Sequence, residues 1–199
     1  MSKPLVLVIE RDARHVEGVR IALSGRFQVE QARSAAEALA KLDSLEPLVV
    51  VLGLRGLEAA KAIREKVGRG TLLIGHGRFG HGHKARGMPN KAVVEAFALD
   101  DFVARDLSGE DVGKVVWSHI ARAIRAVPRP EGQPAASTED TWKELATSEA
   151  SLAGLRKLLN KPVLPVTELK DDQDATWKDL LTAPIGQTLK RLFRGKKPD

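Results

Sequence analysis

The sequence predicts an α/β fold: a five-stranded parallel sheet wound on both faces by helices, followed by a linker and a small helical or partly disordered tail. Three observations predict it. Short apolar runs rich in Val and Ile alternate five times with helix-period stretches over residues 1–127, the pattern of successive βα units. The stretch Pro47-Leu48-Val49-Val50-Val51-Leu52-Gly53-Leu54-Arg55-Gly56 reads as a buried central strand that runs into a glycine loop and then into helix. Finally, Val127-Pro128-Arg129-Pro130-Glu131-Gly132-Gln133-Pro134 ends the alternation with an extended linker composition.

Taken in order, Leu5-Val6-Leu7-Val8-Ile9 is the first strand, and Asp12 caps a helix carrying Val16, Val19 and Leu23, closed by Gly25. Phe27 to Ala32 alternates like a half-buried strand. Ser34 caps a helix expected to reach Leu45. The Pro47 strand precedes a helix expected from about Leu57 to Val67, and Thr71 to Ile74 forms the fourth strand. A glycine-, histidine- and arginine-rich segment, Gly75 to Gly87, separates it from a short helix, Lys91 to Leu99. Phe102-Val103-Ala104-Arg105 is the fifth strand, at an edge, and Ser108 with Asp111 opens the last helix in a capping-box-like arrangement. The domain therefore spans 1–127, the linker 128–140 and the tail 141–199.

Composition bounds the function. The net charge of +6 makes the surface basic, which permits anionic partners without requiring them. There are no cysteines, so disulfides and thiolate metal sites are excluded. No apolar run reaches membrane-span length, and Met1-Ser2-Lys3-Pro4 leads into strand pattern without a signal-peptide layout. A cytoplasmic protein is the expectation.

In open parallel sheets, function gathers at the carboxyl ends of the strands. There Leu7-Val8-Ile9-Glu10-Arg11-Asp12, Ser34-Ala35-Ala36-Glu37-Ala38-Leu39, Leu48 to Leu54 and Asp100-Asp101-Phe102-Val103-Ala104-Arg105 occur in an order and spacing that resemble the receiver domain of bacterial response regulators. The resemblance covers about residues 4–127 and implies a flavodoxin-like, doubly wound sheet. It also implies a constellation: two carboxylates on a magnesium ion, an aspartate nucleophile after the third strand, a hydroxyl after the fourth and a lysine after the fifth.

Carried over residue by residue, that phosphorylation site is degenerate. Glu10 keeps one acidic position, but Arg11 places a cation at the second. Gly53 stands at the phosphoacceptor position and has no side chain. The hydroxyl position falls on Gly75 or His76, and Arg105-Asp106 replaces the family's Lys-Pro. With no nucleophile in place, phosphotransfer is not expected. No catalytic residue, cofactor or metal is expected either.

The Gly75–Gly87 segment reads as a solvated loop, with Arg78, Lys84 and Arg86 as an anion-binding alternative. Phe102 matches the family's aromatic switch position. Trp117, on the last helix, is either a core or a surface anchor.

The tail holds a repeat. Thr141-Trp142-Lys143-Glu144-Leu145-Ala146-Thr147 recurs as Thr176-Trp177-Lys178-Asp179-Leu180-Leu181-Thr182, each followed by a basic amphipathic pattern that in the second copy includes Leu189 and Phe193. Two such units suggest docking motifs that fold on a partner; the competing reading packs them together or back on the domain. The expected function is a non-enzymatic signalling adaptor, a pseudo-receiver acting independently of phosphorylation. Its partner-binding residues would be Phe102, Trp117, Trp142, Leu145, Trp177, Leu180, Leu189 and Phe193. A protein partner in a bacterial signalling pathway is expected, with a homodimer through the last domain helices as one form. The alternatives are a sensor of a small anion in the remodelled crevice and a DNA-binding regulator using the basic tail. Nucleic acid is not the expected partner, and an anionic membrane surface is a weak second.

Overall fold

Five strands, β1 (Leu5–Ile9), β2 (Gln28–Ala32), β3 (Val49–Gly53), β4 (Leu72–His76) and β5 (Asp101–Val103), pair in parallel in the order β2-β1-β3-β4-β5. This is the flavodoxin-like order, with its switch point between β1 and β3. The computed structural model describes residues 3–81 and 85–125, with positions 137, 138, 141, 142, 153, 154, 156 and 157. Every described residue belongs to the compact unit Met1–Glu168.

The central strands are apolar but for His76 at the end of β4, because both faces are covered. On one face Val6, Val8, Val49, Val51 and Ile74 meet α1 (Ala13–Ala22) and α5 (Gly109–Arg125) through Val16, Val19, Val116 and Ile120. On the other, Leu7, Ile9, Val50, Leu52 and Leu73 meet α2 (Ala35–Lys41), α3 (Ala60–Val67) and α4 (Asn90–Phe97) through Ala38, Ile63 and Val93. The caps form as expected. Asp12 accepts from Arg14 N at 2.9 Å, and Ser34 Oγ accepts from Glu37 N at 3.2 Å. Ser108 Oγ accepts from Asp111 N at 3.2 Å while donating to the Asp111 carboxylate at 2.7 Å.

Several boundaries move. α2 ends at Lys41 rather than Leu45, and a 3₁₀ helix, Leu54–Ala59, fills the turn between β3 and α3. β4 continues through Gly75 and His76, so both belong to the sheet and not to a loop. β5 begins at Asp101 and stops at Val103, leaving Arg105 beyond the edge strand.

Two features were not evident from the sequence. α1 and α5 approach closely along small residues. A Cβ on Gly109 would lie 1.9 Å from the His15 carbonyl oxygen, and one on Gly113 would lie 2.5 Å from Ala22 Cβ. Polar clamps also tie the β5 end of the sheet to its helices. Arg64 reaches the Asp100 carboxylate at 2.5 Å and the Ala98 and Thr71 carbonyls, while Asp101 pairs with His119 at 2.9 Å in full burial. A buried carboxylate is tolerable only when so paired.

The first tail repeat touches the domain at two described points. Trp142 is buried, with its ring centroid 4.7 Å from Phe27 and 5.7 Å from Trp117. Arg156 donates to Glu46 twice, to the carboxylate at 2.9 Å and to the carbonyl at 3.0 Å.

Candidate functional site

The carboxyl ends of β1, β3 and β4 open into a crevice of about 410 Å³ at the switch point. Its floor is decided by Gly53. A Cβ built there would stand 2.8 Å from Glu10 Oε2, so the Glu10 carboxylate occupies the space where a side chain at 53 would begin. That carboxylate is held down by its own loop: Oε1 accepts from Arg11 N at 2.7 Å and from Asp12 N at 3.2 Å. Gln31 adds a bond from its amide to the Glu10 carbonyl at 2.8 Å.

Strand register resolves the alternative between Gly75 and His76. His76 lies opposite Gly53, while Gly75 lies opposite Leu52. His76 is 6% exposed, and its ring stacks on that of His15 from α1 with centroids 5.3 Å apart. Neither ring nitrogen of His76, nor Nε2 of His15, has a hydrogen-bond partner. Burial pushes the His76 imidazole down to about 4, and His15 acts in the same direction, so the ring is neutral at pH 7.

The rim carries Arg11, Arg33 and Arg55. Among the described residues, no ion pair engages any of these three guanidinium groups. Asp106 also lines the crevice, and its carboxylate accepts from Arg78 N at 3.3 Å. Arg105, expected beside the site, is exposed and does not line the crevice. His15, Arg33 and Arg55 were missed in the sequence. Each lies in or just after the turn that follows β1, β2 or β3, which is the signal that could have found them.

Phe102 is not on a docking face. It has no exposed surface, because its ring lies across Gly75, where an added Cβ would come within 3.0 Å of Phe102, Leu57 and Leu99. Phe79 from the following segment stacks on it at 5.3 Å. The segment after β4 is thus pinned: Gly77, at φ 132°, bonds to Val103 O at 3.0 Å and leaves room for Leu54. Arg78 and Arg86 line a second hollow, of about 550 Å³, beside Phe102, and Arg86 contacts the His81 ring.

Trp117 is half-buried and Trp142 buried, each against the other, with the Arg26 guanidinium 4.5 Å over the Trp117 ring. Trp142 is thus not an exposed docking anchor, and the Phe27 ring is an intramolecular seat for both indoles. Lys84, Leu145, Trp177, Leu180, Leu189 and Phe193 lie outside the described residues. Among the described residues no three metal-ligating side chains converge, and no helix is long and apolar enough to cross a membrane.

No protein-family model and no curated protein matches the chain. Among solved structures, it is similar to the chemotaxis protein CheY4 of Vibrio cholerae, at 20% identity over 58% of this chain and 98% of that one, with a TM-score of 0.46. A two-component response regulator from Clostridium difficile shares 15% identity over 62% and 98%, with a TM-score of 0.48. A CheY-like receiver domain protein from Methanospirillum hungatei shares 15% over 72% and 99%, also at 0.48. The strand order and the winding of helices on both faces make this domain a flavodoxin-like α/β fold.

Proposed function

We propose that the chain is a pseudo-receiver, a non-enzymatic module of a signalling pathway that works through protein contacts and without phosphotransfer. The observation that carries this reading is the Gly53–Glu10 relationship. The position where a phosphoacceptor would stand has no side chain, and the neighbouring carboxylate already fills the space above it. Arg11 supports it, since a permanently charged guanidinium stands where the family has a metal-binding carboxylate and would repel a divalent cation. The Glu10 carboxylate is held in this place by two backbone N–H groups on its Oε1.

The burial of Trp142 favours an intramolecular role for the first tail repeat. The second repeat, with Trp177, Leu180, Leu189 and Phe193, is then the part of the tail left to dock a partner.

The test is incubation of the full chain with acetyl phosphate and Mg²⁺, followed by intact-mass measurement beside a receiver domain that retains its aspartate. The control should gain a phosphate adduct and this chain none. An adduct on this chain, mapped to any residue of the crevice, would overturn the reading.

A further inference from the structure

The crevice has lost the groups for phosphotransfer, yet it has gained groups that no packing argument explains. Three guanidinium groups, those of Arg11, Arg33 and Arg55, surround one opening, and among the described residues none of them has an ion-pair partner. His76, over nine-tenths buried, lines the same crevice with two buried ring nitrogens that have no partner, and His15 adds a third. A buried donor left unpaired costs about 1–3 kcal/mol, so a group that satisfies it is favoured.

The two carboxylates in the crevice are already engaged. Glu10 is turned onto Gly53 and bound by backbone N–H groups, and Asp106 accepts from Arg78 N. Three arginines thus line the crevice against two carboxylates, and Glu37, which accepts from Arg33 N at 2.8 Å, is a further acid acting on Arg33. Guanidinium forks match the paired oxygens of a phosphate, and a neutral imidazole can add one N–H donor without further charge. The location is the switch point between β1 and β3, where open α/β sheets bind their ligands, and the volume is that of a small-molecule site.

We propose that this crevice reversibly binds a small phosphorylated molecule, its phosphate held by Arg11, Arg33 and Arg55 with an N–H bond from His76. No covalent bond forms in this step. The protein would thus respond to the presence of a free phosphorylated ligand in the place where a receiver carries its own phosphoryl group.

The full chain, isotope-labelled at histidine and arginine side-chain nitrogens, can be titrated at constant ionic strength with inorganic phosphate, pyrophosphate and citrate while NMR follows the His15, His76 and arginine signals. Saturable shifts at His76 are expected with phosphate or pyrophosphate and are expected to reverse on dialysis. Arg11→Gln/Arg55→Gln should weaken binding about tenfold or more, the scale of a lost charge-assisted contact. Arg78→Gln/Arg86→Gln, in the other hollow, should leave it unchanged. Shifts that never saturate, saturation unaffected by the Arg11/Arg55 exchange, or equal binding of citrate would each overturn the proposal. All four arginines are on the surface or rim, and unchanged far-UV circular dichroism would show that the variants fold.

Discussion

Glu10 and Gly53 form a complementary pair: the carboxylate of one stands 2.8 Å from where the Cβ of the other would be. The missing side chain and the folded-over carboxylate are one feature seen from two strands. Restoring a side chain at 53 therefore does not restore an empty site.

Gly53→Asp should destabilise the chain by about 1–3 kcal/mol at pH 7, since two carboxylates would contend for one space. Gly53→Ala should cost less, because Glu10 is a flexible side chain that can swing away. For the aspartate variant, most of the penalty should vanish as pH falls through the carboxylate range and one of the pair takes a proton. Urea melts at pH 7 and pH 4.5 distinguish this from a purely steric effect, which would be the same at both.

The α1–α5 seam makes a second, independent prediction. Gly109→Ala and Gly113→Val should each destabilise by about 2–3 kcal/mol, because the added atoms meet backbone and a helical Cβ that cannot rotate away. Gly80→Ala, where nothing lies within 4 Å, should stay within about 0.5 kcal/mol of the parent. Thermal denaturation of the three variants checks the contrast.

Acidification should expose His76. Its folded-state value lies near 4, below the ordinary 6.5, so between these pH values the unfolded chain binds the proton more readily. Stability from this group is full above pH 6.5, is lost as pH falls toward 4, and changes no further below that. The loss should be on the order of 3 kcal/mol. His76→Leu should remove that slope between pH 6.5 and 4 and leave the other titrations in place; a parallel curve for the variant would disprove the assignment.

Trp142 links the tail to the domain. Trp142→Ala should destabilise the chain by about 2–4 kcal/mol through loss of its contacts with Phe27 and Trp117. It should also change the emission of Trp117, with which it forms a T-shaped pair. An unchanged melting temperature together with unchanged Trp117 emission would show that Trp142 does not occupy this seat.

What the sequence by itself determined is the part of the protein governed by local pattern. Continuous apolar runs in residues 5–9, 49–52 and 72–74 require strands covered on both faces, and the capping residues Asp12, Ser34 and Ser108 mark where helices begin. Residue 53, a glycine, likewise has no side chain to offer whatever the fold does with it.

Tertiary structure alone decided the rest, because it depends on register and on contacts between residues far apart in the chain. A one-residue shift in strand pairing exchanges the faces of a strand, so whether Gly75 or His76 faced the crevice could not be read from composition. Register places His76 opposite Gly53, in the crevice, and leaves Gly75 beneath the Phe102 ring. The same holds for Phe102 and Trp142. Each is an aromatic at a position that suggests a surface role, and each is buried because a distant residue, Gly75 or Phe27, provides space or a ring for it. The Glu10 carboxylate over Gly53 belongs to this group as well: two adjacent strands in parallel register bring together residues that are 43 positions apart in the sequence.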